Sequence, residues 1–128
     1  MIFGRWPSGE ILVLEKVTYD SKKKLIRVRA WGIDTIQDWL SSREQVVQLD
    51  DEHRAIKLLV DVREQESAPS STDIFDFGKN WPPEIRTVIL VGKKTRAEQQ
   101  FLETVAFNRA KQMRVFDDEV DALNWLGE

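Results

Sequence analysis

The chain contains no cysteine, which removes disulfides, thiolate metal sites and thiol nucleophiles from consideration. Histidine occurs once, as His53 in the charged stretch Asp50-Asp51-Glu52-His53-Arg54. A metal centre gathers several ligands in space, so one histidine among acids reads as a solvated side chain. An excess of positive charge is missing as well, since 19 basic and 22 acidic side chains leave a formal net charge of −3. No electrostatic footprint for nucleic acid follows, and no nucleic-acid partner is expected. No apolar run approaches the roughly 20 residues that cross a bilayer, and Met1-Ile2-Phe3-Gly4-Arg5 lacks the basic start and apolar middle of a signal peptide. The expectation is a cytoplasmic protein with no integral membrane segment. Also absent are a glycine-rich phosphate loop, a nucleophile elbow and a His-Glu pair at helical spacing. The sequence shows no catalytic residues, and neither a metal nor a cofactor is expected.

What is present is the composition of an ordinary folded domain, 41% hydrophobic and 32% charged. A length of 128 residues suits a single domain, 1–128. The chain is organised around Ile56-Lys57-Leu58-Leu59-Val60-Asp61-Val62, where five aliphatic residues in seven predict a strand buried on both faces. A second such run, Thr87-Val88-Ile89-Leu90-Val91, follows a loop and a helical segment, which implies a parallel pair joined by a crossover.

The opening Arg5-Trp6-Pro7-Ser8-Gly9 reads as a turn, and Ile11 to Val17 as a strand. After the polar turn Tyr19 to Lys24, Leu25 to Trp31 places Ile26, Val28 and Ala30 on one face and Arg27 and Arg29 on the other, completing a hairpin. Asp34, with Gln37 three residues on, predicts a helix start. Ile36, Trp39, Leu40 and Val47 form its apolar side, and Leu49 to Arg54 reads as a charged connector. Arg63 to Thr72 reads as a polar loop, with Ser71 or Thr72 capping a short helix that Trp81-Pro82-Pro83 ends. A helix from about Arg96 to Ala110, a strand Met113 to Phe116 and a terminal helix capped by Asp117 or Asp118 follow. The predicted fold is α/β in the order ββαβαβαβα, a mixed five-stranded sheet with about four helices.

The tail Val115-Phe116-Asp117-Asp118-Glu119-Val120-Asp121-Ala122-Leu123-Asn124-Trp125-Leu126 resembles the ending V-F-x-D-x-x-x-A-L-x-W-L of the SpoIIAA-like group, relatives of the STAS (sulfate transporter and anti-sigma-factor antagonist) domains. Leu58-Leu59-Val60-Asp61-Val62 is similar to that group's strand, and Asp38-Trp39 on the first helix agrees with it. The resemblance implies helices packed on a mixed sheet and a non-catalytic role in binding another protein. In STAS domains a Ser or Thr in a D-S-S/T-G motif, some nine residues beyond the strand aspartate, is sometimes phosphorylated. Ser70 stands nine residues after Asp61, with Ser71 and Thr72 next, but Pro69 replaces the motif's Asp and Thr72 its Gly.

A phosphate on Ser70, Ser71 or Thr72 would meet the free N–H groups of the following helix, whereas the plainer reading makes these residues helix caps. Asp61, Asp117 and Lys93 are similar to a receiver domain's set, but that fold needs an acidic pair after its first strand, where this chain has Lys16-Val17-Thr18. Five tryptophans are many for this length. Core packing accounts for most of them, and an aromatic pocket near Phe75, Phe77 and Trp81 is the alternative. The functional expectation is a regulatory module that docks another protein, such as a signalling partner, through the loop and helix from Ser70 to Trp81, with Asp61 nearby. The alternative is a binder of a small apolar, lipid-like ligand between helix and sheet. An exposed hairpin edge leaves room for a homodimer.

Overall fold

The computed structural model describes residues 2–5, 11–54 and 56–127, with side chains described from Glu15 onward. The expected turn around Trp6 lies outside these residues. Six strands and four helices alternate as β1 (Ile2–Arg5), β2 (Ile11–Asp20), β3 (Leu25–Ile33), α1 (Ile36–His53), β4 (Lys57–Ser67), α2 (Ser71–Lys79), β5 (Arg86–Val91), α3 (Arg96–Phe107), β6 (Met113–Phe116) and α4 (Glu119–Leu126). The five expected strands are β2 to β6, in the expected order with the four helices. The short β1 adds an outer strand beside β2.

Strand order in the sheet is the order in sequence. β1, β2 and β3 pair antiparallel, whereas β3 to β6 pair parallel. Each parallel step needs a helical crossover, and crossovers are right-handed. Because every step moves the same way across the sheet, handedness sends α1, α2 and α3 to one face. Only α4, which makes no crossover, packs on the other. Side-chain alternation divides the core accordingly. Ile26, Val28, Leu58, Val62 and Ile89 meet Trp39, Val46, Phe77 and Leu102 under the three helices, while Leu25, Leu59, Val88 and Leu90 meet Ala122 and Leu126 of α4.

β4 runs further than its apolar stretch predicts, through Arg63-Glu64-Gln65-Glu66 to Ser67. These polar residues remain in the sheet because they pair with β3, where Trp31 faces Glu64 and Gly32 faces Gln65. Between the pairs Arg29–Asp61 and Trp31–Glu64, β4 carries one more residue than β3, which is a β-bulge. Asp61, in mid-strand rather than at a strand end, stabilises the bulge by accepting from the Arg63 backbone N–H (3.1 Å) and its guanidinium (3.0 and 2.8 Å). The extra residue resets the alternation, so Gln65 turns to the same side as Val62 and is buried there.

Other boundaries differ for identifiable reasons. Thr35, not Asp34, caps α1: its hydroxyl accepts from the Asp38 N–H while Asp38 Oδ2 accepts from the Thr35 N–H, a capping box in which Asp replaces Glu. Asp34 is instead turned into the core. The charged stretch Leu49 to His53 continues α1, closed by Arg54 in the left-handed region (φ 52°). Ser70 rather than Ser71 or Thr72 caps α2, accepting from the Asp73 N–H. α3 ends at Phe107, and Asp118 caps α4. On the outer strand β6, the Val115 N–H donates to Glu103 Oε2 of α3 (2.6 Å).

Gly92, just after β5, lies against the bulge. A Cβ there would stand 2.6 Å from the backbone oxygen of Arg63, and backbone pinned in a sheet yields little. Gly92→Ala is therefore expected to destabilise by about 1–3 kcal/mol, read as a lower urea midpoint at unchanged m-value.

Candidate functional site

Between the α1–α3 layer and the sheet lies a cavity of about 60 Å³. Its walls are mostly apolar: Val28 and Ala30 of β3, Leu58, Val60 and Val62 of β4, Val46 of α1, and Leu102 of α3. Three aromatic rings form one side. Trp39 meets Phe77 edge-on at 5.1 Å, and Phe77 meets Trp81 at 5.5 Å, distances typical of favourable ring pairs. Trp81 is fixed by its indole N–H, which donates to Thr87 Oγ1 at 3.1 Å.

One end of the cavity is acidic. Glu15 and Asp34 line it and are only 3% and 4% exposed. Glu15 falls on the same face of β2 as Val17 and Tyr19, which pack on the core. Buried acids need donors, since an unpaired one is costly. Ser42 Oγ–H donates to Glu15 Oε1 (2.5 Å). The Trp39 indole N–H (3.1 Å) and Gln65 Nε2 (3.2 Å) donate to Asp34 Oδ2. Gln99 of α3 donates to Gln65 Oε1 (3.0 Å), which orients the amide. The bulge in β4 is what brings Gln65 into this chain of bonds. Asp34 Oδ1 is buried without a hydrogen-bond donor.

Burial, and then the neighbouring Glu15 and Asp38, push the Asp34 carboxyl up to about 10. Burial also raises Glu15, partly offset by hydrogen bonds from Asp34 and Ser42. Both causes favour a proton held between the two groups. Arg43 also lines the cavity, but its guanidinium lies over the Phe77 ring at 5.0 Å. Among the described residues, no group of three or more His, Cys, Asp or Glu is placed to hold a metal.

The structure brings together some of the residues that the sequence singles out and separates others. Phe77 and Trp81 line the cavity and are buried in the core. Phe75, one residue earlier on α2 than Asp76, points outward at 37% exposure under the Arg109 guanidinium, 4.8 Å from the ring centre. Ser70, Ser71 and Thr72 are exposed at the start of α2. Asp61 lies on the α4 face of the sheet, across from the cavity, paired with Arg63, which also reaches Glu119 of α4 (3.6 Å). Burial raises the Asp61 carboxyl, but the Arg63 hydrogen bonds and charge outweigh this and hold it below its usual value. Glu15, Asp34, Ser42, Gln65 and Gln99 escape a reading by motif. A charged residue on the inward face of a strand, as at Glu15, was the available signal.

The family model described as SpoIIAA-like matches residues 15–127. Among curated proteins none matches the chain. Among solved structures, an uncharacterized protein with a SpoIIAA-like fold from Shewanella loihica is similar, with a TM-score of 0.59 and 18% identity over 90% of this chain and 95% of that one. At that identity the likeness is one of fold. No helix among the described residues is long and apolar enough to cross a membrane.

The acid pair makes stability depend on pH. Asp34 titrates higher in the folded chain than its ordinary 3.8, so between about pH 4 and pH 10 the folded state holds a proton that the unfolded state releases. That contribution is complete below about pH 4 and is lost as pH rises towards 10. Asp34→Asn, which keeps an acceptor for Trp39 and offers Glu15 a donor, should gain stability relative to wild type across this range in urea titrations at stepped pH. A difference independent of pH would place the proton elsewhere.

Proposed function

The chain belongs to the SpoIIAA-like family, and from that premise we propose that it is a non-enzymatic binding protein whose cavity takes a small, largely apolar molecule. The observation that carries this reading is the cavity itself, walled by Trp39, Phe77 and Trp81 within an otherwise close-packed core. Sites for small molecules are concave and mostly apolar, with a few placed polar groups, and this one has its polar groups at one end. At 10–15 Å³ per water-sized group, about 60 Å³ admits roughly four to six non-hydrogen atoms. A space of that volume without atoms costs about 1–2 kcal/mol at ~24 cal/mol per Å³, which an occupant of matching shape returns. The two hydroxyls that line it, Ser42 and Thr87, are already engaged as donors, to Glu15 Oε1 and to the Ile85 carbonyl oxygen.

A second reading, docking of a protein partner through the α2 segment, is favoured by Phe75. That ring stays partly exposed beside the exposed Ser71 and Thr72, where a phosphate would find the helix's positive end. Phe77 and Trp81 would then support the surface from beneath. Phe75→Ser is expected to change stability by less than about 1 kcal/mol, and to remove a partner complex seen by native mass spectrometry of protein purified from its own host. A complex that survives the change would place docking elsewhere.

The cavity reading is tested by filling it. Val46→Phe adds a ring to the cavity wall and should abolish the ligand-observed NMR signals of small apolar fragments that bind the wild-type protein. A folded Val46→Phe protein that binds the same fragments equally well sinks the reading.

A further inference from the structure

We propose that the bare face of β2 and β3 is a docking surface for an acidic, extended segment of another protein. It lies across the sheet from the cavity and away from α2, so it stands or falls independently of both. The fold leaves this face open. α4 packs on β4, β5 and β6, and α1, α2 and α3 occupy the other side, so among the described residues no helix covers β2 or β3 here. Val17 and Tyr19 of β2 and Ile26, Val28 and Ala30 of β3 turn to the helices. The alternate residues Lys16, Thr18, Arg27, Arg29 and Trp31 turn out.

Charge on this face is segregated from the rest. Residues 15–33 hold Lys16, Lys22, Lys23, Lys24, Arg27 and Arg29 against Glu15 and Asp20, a surplus of four positive charges in a chain of net charge −3, which leaves −7 for the remainder. Glu15 is buried on the opposite side. Asp20 shapes the turn, accepting from the Lys22 and Lys23 N–H groups (3.0 and 3.2 Å). Arg29 pairs with Glu64 at 2.8 Å, whereas Lys16, Arg27 and the turn lysines form no ion pair among the described residues. Asp61 of β4 borders the face but is engaged by Arg63. A second observation is independent of composition: Lys16 and Arg29 stand directly opposite each other in the antiparallel register, where like charges cost stability. An anion laid over them relieves that repulsion.

The shape selects the occupant. α4 rises beside the bare strands by the thickness of a helix, roughly 10 Å, and carries Glu119 and Asp121. A flat anionic membrane is therefore held off the floor of this step. Trp31 is half-buried, with the Arg29 guanidinium 6.0 Å from its ring centre. No row of exposed rings among the described residues of this face offers the stacking that single-stranded nucleic acid uses. What fits is a narrow polyanion held by charge, a peptide rich in Glu or Asp. From the lysine turn to Trp31, β3 covers roughly 20 Å, the reach of about six extended residues.

The test is fluorescence anisotropy of a labelled octaglutamate peptide titrated with the full chain at low and at physiological salt. Wild type is compared with Lys16→Glu/Lys23→Glu and with a control of equal net charge, Lys93→Glu/Lys111→Glu. Lys16→Glu sets unlike charges opposite each other, so the first variant should keep or raise the wild-type urea midpoint. Octaglutamate should bind wild type and lose about tenfold in affinity at the higher salt, because exposed charges are screened. It should also lose about tenfold or more on Lys16→Glu/Lys23→Glu, and less than about threefold on the control. The proposal is overturned if wild type does not bind the peptide at low salt, or if both variants lose equally. It is overturned as well if single-stranded oligothymidylate, or vesicles of one-third phosphatidylserine, bind wild type more tightly than the peptide does. Self-association of wild type at low salt that Lys16→Glu/Lys23→Glu abolishes, seen by sedimentation velocity, would give the face to a second copy and overturn it likewise.

Discussion

Two carboxyl groups buried together inside a hydrophobic layer constrain this structure more than any other interaction. Water would solvate Glu15 and Asp34 at little cost, so the chain must replace water with donors drawn from several elements. α1 gives a hydroxyl from Ser42 and an indole N–H from Trp39, β4 gives Gln65, and α3 holds Gln65 through Gln99. That requirement fixes more than side chains. Gln65 reaches the site only because β4 carries a bulge, the bulge is stabilised by Asp61 from the opposite face of the sheet, and the close approach of β5's end needs a residue without a Cβ. A polar group on one face thus depends on backbone geometry set on the other.

The layered fold was legible in the sequence because its strongest signals are physical and local. The short aliphatic runs over Leu58–Val62 and Thr87–Val91 suit strands buried on both faces, and the helical segment between them implies parallel pairing. Handedness then leaves no choice about where α1, α2 and α3 go. The boundaries were less legible, and the reasons can be named. Polar residues Arg63 to Ser67 resemble a loop in composition, yet they complete a ladder whose partner, β3, also runs on to Ile33. Thr35 and Asp38 form the cap that the sequence pattern assigns to Asp34 and Gln37, and Asp34 is buried, accepting from Trp39, instead.

The site was only half legible. Phe77 and Trp81 could be connected with an aromatic pocket because they stand four residues apart at the end of one short helical segment, and their rings do meet at 5.5 Å. Asp61 was a reasonable candidate on its strand-end position, but the strand does not end there. The acidic end of the cavity draws Glu15 from one strand, Asp34 from a turn and Gln99 from a helix 65 residues further on. No spacing in sequence encodes such a group, and only the inward period of Glu15 with Val17 and Tyr19 hinted at it.

The carboxylate that Glu103 lends to β6 has a further consequence. An outer parallel strand offers its free amides to any other extended chain, and β6 is the edge farthest from the hairpin. With the Val115 N–H already occupied by Glu103, a strand arriving there would have to displace a charge-assisted bond and leave a carboxylate against its own carbonyls. The Glu103 carboxylate thus acts as a guard on part of this edge, raising the cost of strand addition at Val115.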